Sequence, residues 1–185
     1  MRRLLKKDEV LTIPNLLSLF RFLLIPVIVY LYCEVGNYYA AIGVICLSGL
    51  TDIVDGFIAR RYNMVSDLGK ILDPIADKAT QGVIIICLIA KYKLMLALIV
   101  IFVLKEIVMV VVGYIVIKKQ NEVTGAKWFG KANTVVLYSI MIVLILFPTI
   151  SDTLADILIC VCMVFVIVSF VLYLRDYLKV LVKKH

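Results

Sequence analysis

Asp52-Ile53-Val54-Asp55-Gly56-Phe57-Ile58-Ala59-Arg60 and, after eight intervening residues, Gly69-Lys70-Ile71-Leu72-Asp73-Pro74-Ile75-Ala76-Asp77 place four aspartates beside long apolar runs. The uncharged run Tyr38–Thr51 is only 14 residues long, whereas a bilayer-spanning helix needs about 20. A spanning helix that begins at Tyr38 therefore continues through Asp52 and Asp55. By the same argument the uncharged run from Ala79 to Ala90 is too short alone, so Asp73, Asp77 and Lys78 belong to the embedded helix or its first turns. Asp52 and Asp55 are three residues apart and Asp73 and Asp77 four apart, so each pair shares one helix face.

Carboxylates held at a membrane are costly and mark functional sites. Four at close quarters repel one another unless cations neutralise them. An oxygen-only set of helical carboxylates suits a hard divalent ion, magnesium or manganese, and two such ions form a clamp for phosphoryl transfer. The alternative, charges simply solvated at a helix end, does not supply enough apolar length for the two helices.

Outward from this window the chain is apolar throughout. Of 185 residues 64% are hydrophobic and the mean hydropathy is +1.08, too much apolar sequence for a soluble core. Six spans are expected, Leu11–Cys33, Tyr38–Arg60, Asp67–Ala90, Leu94–Ile117, Ala132–Phe147 and Leu154–Leu174. This gives an all-α integral membrane bundle of six transmembrane helices, with residues 1–185 forming a single domain. Glu34-Val35-Gly36-Asn37 and Pro148-Thr149 with Ser151-Asp152 read as turns. The stretch Arg2–Val10 reads as a short interfacial helix, and the first apolar segment lacks a small-residue cleavage site.

Lysine and arginine collect on one side: Arg2, Arg3, Lys6, Lys7, Arg60, Arg61, Lys70, Lys118, Lys119, Lys127, Lys131, Arg175, Lys179, Lys183 and Lys184. The opposite loops hold Lys91 and Lys93. The positive-inside rule then puts both termini and the aspartate window, at the ends of helices two and three, in the cytoplasm. The net charge of +7 suits anionic membrane lipids, not nucleic acid. Cysteines at 33, 46, 87, 160 and 162 form no CxxC pair and read as small apolar-segment residues.

Gly56 and Gly69 permit a close backbone approach, and Arg60 offers a bidentate donor to phosphate. Asp52, Asp55, Gly56, Ala59, Arg60, Gly69, Asp73 and Asp77 fill, in order, a pattern of eight fixed positions over 26 residues. The window resembles the signature of the CDP-alcohol phosphotransferases (CDP-alcohol phosphatidyltransferases). That resemblance implies transfer of a substituted phosphate from a CDP-linked donor to an alcohol, with release of CMP. It implies that Asp52, Asp55, Asp73 and Asp77 hold two Mg2+ or Mn2+ ions and that Asp77 is the general base. Asp52, Gly56, Ala59, Arg60 and Gly69 would line the cytidine nucleotide, and a homodimer in the bacterial inner membrane is expected.

Two outer segments, Ile13-Pro14-Asn15-Leu16-Leu17-Ser18-Leu19-Phe20-Arg21 and Trp128-Phe129-Gly130-Lys131-Ala132-Asn133-Thr134, resemble the phosphatidylglycerophosphate synthases of that family. The implied substrates are CDP-diacylglycerol and glycerol 3-phosphate, with Arg21, Lys105 and Lys131 as acceptor-phosphate candidates. Lys105 stands where that subfamily usually has arginine. Sister activities are a CDP-alcohol-type cardiolipin synthase or a phosphatidylinositol phosphate synthase. From other classes, a membrane prenyltransferase leaves Gly56, Ala59, Arg60 and Gly69 unexplained, and a divalent-cation transporter calls for acids along a path, not at one face.

Overall fold

The computed structural model describes residues 12–62, 69–120 and 128–182. Six α-helices run through them: α1 (Ile13–Val29), α2 (Tyr38–Arg61), α3 (Gly69–Ile89), α4 (Met95–Gln120), α5 (Trp128–Leu146) and α6 (Asp152–Val182). No strand occurs among the described residues. The expected interfacial helix at Arg2–Val10, and Lys127, lie outside them. Among the described residues five helical segments are long and apolar enough to cross a membrane: Ile13–Glu34, Tyr38–Ala59, Met95–Val116, Trp128–Leu146 and Asp152–Lys179. α3 is not among them, and its first ten residues carry Lys70, Asp73, Asp77 and Lys78.

Large side chains such as Leu23, Val110, Val135 and Val171 face outward, Val110 being 70% exposed. In water such a surface would be unstable, whereas lipid covers it without cost. The protein is an integral membrane protein.

Two compact units divide the chain, residues 1–87 and 88–185. In the first, Thr12 caps α1 by accepting from the Asn15 amide, and Pro14 sits in the first turn, where a missing N–H costs nothing. α1 continues as a π-helical turn, Tyr30–Glu34, closed by the Val35 amide donating to the Tyr30 carbonyl at 3.1 Å. Gly36, at φ +66°, then reverses the chain in a left-handed conformation that favours glycine. Asn37 caps α2 by accepting from the Ala40 amide at 3.0 Å, as the breaker signals there predict. Leu24 and Ile28 of α1, and Ala41 and Ile45 of α2, are buried where these two helices pack.

In the second unit α4 and α5 both pack on α6. Each carries a buried stripe at alternating spacings of three and four, the pattern of packed helices. On α6 it runs Ala155, Ile159, Cys162, Val166, Ser169; on α5, Asn133, Leu137, Ile140, Leu144; on α4, Met95, Leu98, Phe102, Lys105. Phe129 meets Tyr173 edge-on at 4.6 Å, so α5 is already helical and packed on α6 before the expected Ala132. α6 runs past the expected Leu174 to Val182. Its 31 residues correspond to about 46 Å against a hydrocarbon core of about 30 Å, so the helix is longer than one crossing needs, and its last turns carry Arg175, Asp176 and Lys179.

Candidate active site

α1 carries Asn15, Ser18 and Arg21 at spacings of three, all buried, so one face of a membrane helix presents an amide, a hydroxyl and a guanidinium. Arg21 Nη1 donates to Asp52 Oδ1. Its Nη2 donates to Asp55 Oδ2 at 3.0 Å and, more weakly, to Asp73 Oδ1 at 3.4 Å. Ser18 Oγ stands between the Pro14 carbonyl, 3.0 Å away, and Asp73 Oδ1. Three helices therefore meet at one charge cluster, and both halves of the aspartate window reach it.

Exposure grades the carboxylates. The Asp55 side chain is 3% exposed and forms the floor, while Asp52 at 48% and Asp73 at 37% are open to a ligand. Farther along α3, Gln81 Nε2 donates to Asp77 Oδ2 at 3.0 Å, and Lys78 Nζ donates to Gln81 Oε1 at 3.2 Å. Lys78 also stands 4.0 Å from Asp77. Gln81 is fully buried, so it fixes the orientation of the Asp77 carboxylate from below.

The remaining expected residues are placed as follows. Gly56, Ala59 and Arg60 fall in the last turns of α2, and Gly69 opens α3 as a buried residue; the Arg60 side chain lies outside the described residues. Lys105 and Lys131 belong to the second unit. Lys105 is buried and donates to Glu106 at 3.1 Å, and Lys131 is an exposed residue of α5. Ser18 and Gln81 were not anticipated as site residues; the signal was their spacing, three before Arg21 and four after Asp77. Neither amide atom of Asn133 nor Ser169 Oγ finds a hydrogen-bond partner among the described residues, although all three atoms are buried.

Among the described residues no group of three or more acidic, histidine or cysteine side chains stands close enough to share an ion. The carboxylates of Asp52, Asp55 and Asp73 are spaced instead by the guanidinium fork between them. Their donor chemistry nevertheless fits a divalent ion: all-oxygen, anionic, already gathered round a cation and open on two of three members. Arg21 returns only one positive charge to the three aspartates it meets.

The fold and this site define a helical membrane protein in which one buried arginine gathers three aspartates from two other helices. The sequence profile of the CDP-alcohol phosphatidyltransferase family matches residues 11–168, and the chain belongs to that family. It is similar to a Rattus norvegicus cardiolipin synthase (CMP-forming), 51% identical over 78 residues, covering 42% of this chain and 26% of the relative. It is also similar to a Rickettsia bellii CDP-diacylglycerol–glycerol-3-phosphate 3-phosphatidyltransferase, 42% identical over 90 residues, 47% of this chain and 48% of that protein. A Schizosaccharomyces pombe cardiolipin synthase (CMP-forming) / mitochondrial hydrolase fusion protein is 40% identical over 93 residues, 50% of this chain and 15% of the fusion. The matches thus span about half or less of each relative's length.

Proposed function

We propose that this chain transfers the phosphatidyl group of CDP-diacylglycerol to the primary hydroxyl of glycerol 3-phosphate, giving phosphatidylglycerophosphate and CMP. The observation that carries the reading is the convergence of Asp52, Asp55 and Asp73 on one cationic group within a chain of this family. Asp52, Asp55, Asp73 and Asp77 would hold two Mg2+ or Mn2+ ions, which when bound neutralise the diphosphate of the donor.

The chain's own groups do the rest. The last turns of α2 and the start of α3, with Asp52, Gly56, Ala59, Arg60 and Gly69, hold the cytidine nucleotide. Asp77, oriented by Gln81, accepts the proton of the acceptor hydroxyl as its oxygen bonds to the phosphatidyl phosphorus. The bond from that phosphorus to the bridging oxygen breaks in line, and its electron pair leaves with CMP. Arg21 is the cation beside these carboxylates that would take the acceptor phosphate, and Lys105 and Lys131 are candidates for that role from the sequence alone.

All six helices cross the bilayer on this reading, with the termini and the site on the cytoplasmic side of a bacterial inner membrane. The lysine and arginine asymmetry supports that orientation. The family match runs across both compact units, which supports a single functional domain, and a homodimer is its assembly.

The identity with cardiolipin synthases, up to 51%, favours a second reading in which phosphatidylglycerol is the acceptor. Purified chain incubated with CDP-diacylglycerol, Mg2+ and either glycerol 3-phosphate or phosphatidylglycerol separates the two. Mass spectrometry of the lipid product showing phosphatidylglycerophosphate supports the first reading. Cardiolipin with no phosphatidylglycerophosphate replaces it by the second.

A further inference from the structure

Arg21 and a divalent cation are suited to the same three carboxylates, and both cannot be served by one arrangement. Arg21 Nη2 stands 3.0 Å from Asp55 Oδ2 and 3.4 Å from Asp73 Oδ1, and Nη1 takes Asp52 Oδ1. A magnesium ion draws its oxygens in to about 2.1 Å. The guanidinium, larger than an ion, keeps these carboxylates from sharing one. A cation of like sign in their midst would also repel an incoming ion.

The arginine is itself incompletely satisfied. Its side chain is 2% exposed, yet buried Nε finds no hydrogen-bond partner among the described residues. A buried donor left without an acceptor is destabilising. This pairing holds the carboxylates together without meeting all of the needs of the group that holds them.

From this geometry we infer that Arg21 is the resident counter-cation of the metal-free site: it positions Asp52, Asp55 and Asp73 and surrenders them when a divalent ion enters, which frees its guanidinium for a phosphate of the substrate. The inference rests on the metal use proposed above. It makes phosphate binding by Arg21 conditional on metal, so that the arginine changes partners in a fixed order.

The test uses the wild-type chain in detergent micelles and an arginine-specific reagent, phenylglyoxal, with adducts located by peptide mass spectrometry and Mn2+ binding followed separately by electron paramagnetic resonance. Arg61 and Arg175 are exposed and serve as internal references. Arg21 is expected to be protected without metal, to react at least fivefold faster as Mn2+ binds, and to regain protection when glycerol 3-phosphate is added to the loaded protein. Bound Mn2+ with unchanged Arg21 reactivity overturns the inference and leaves the proposed function standing. Exposure by Mn2+ without re-protection overturns its phosphate half. Failure of Mn2+ to bind overturns both.

Discussion

Arg21 and Asp55 form an ion pair at 3.0 Å whose two side chains are 2% and 3% exposed, whereas Arg21 meets Asp52 at a carboxylate that is 48% exposed. Removing one partner of a buried pair strands the other charge and costs about 3–5 kcal/mol, while a half-solvated partner is worth about 1 kcal/mol or less. Asp55→Asn should therefore lower the thermal midpoint of the metal-free protein far more than Asp52→Asn. Both should lose at least a thousandfold in CMP release. Equal midpoints for the two variants would contradict the burial gradient.

Gln81 donates to Asp77, so under the proposed mechanism its part is to position that carboxylate. Gln81→Leu keeps the volume and removes the 3.0 Å bond to Asp77 Oδ2. We expect kcat to fall about tenfold to a hundredfold with KM for CDP-diacylglycerol little changed, and Gln81→Glu to give a different pH profile. A variant that changes KM alone would assign Gln81 to substrate binding instead.

Much of this architecture is legible in the sequence and the rest is not, for physical reasons. The spacing of Asp52, Asp55, Asp73 and Asp77 fixes their helix faces, and apolar run lengths require helices through them. Gly36 and Asn37 announce the first turn through their own backbone chemistry. The partners of Arg21 are different: they lie 31, 34 and 52 residues away, and only packing of α1 brings them together. α6 continues to Val182, past the expected span end at Leu174, because hydropathy falls at Arg175 whereas helix propensity does not. The π-helical turn after α1 has no local signature beyond Pro26, which lies four residues before it.

A Cβ on Gly130 would overlap the Tyr173 hydroxyl and press on ring atoms Cζ and Cε2 at 3.0 and 3.1 Å. Gly130→Ala should destabilise the protein by about 1–3 kcal/mol through overpacking. Tyr173→Phe removes the hydroxyl and should recover part of that loss, which a double-mutant cycle on thermal midpoints measures. Strict additivity of the two substitutions would place α5 differently on α6.

Cys33 Sγ and Cys87 Sγ are 4.0 Å apart, unbonded but within a small movement of the about 2.0 Å of a disulfide. Diamide should oxidise this pair, so that after denaturation neither thiol takes up maleimide while Cys46 still does. Continued labelling of Cys33 and Cys87 after oxidation would contradict their juxtaposition at the ends of α1 and α3.

The central claim is that the aspartate window performs metal-assisted transfer from a CDP-linked lipid. The most direct measurement is CMP release from CDP-diacylglycerol by purified protein, with glycerol 3-phosphate or phosphatidylglycerol as acceptor, in Mg2+ and in excess chelator, beside Asp73→Asn. CMP release that requires Mg2+ and one of the acceptors, and disappears in the variant, is the predicted result. CMP release that persists in chelator or in Asp73→Asn, or none with either acceptor from folded, metal-loaded protein, would contradict it.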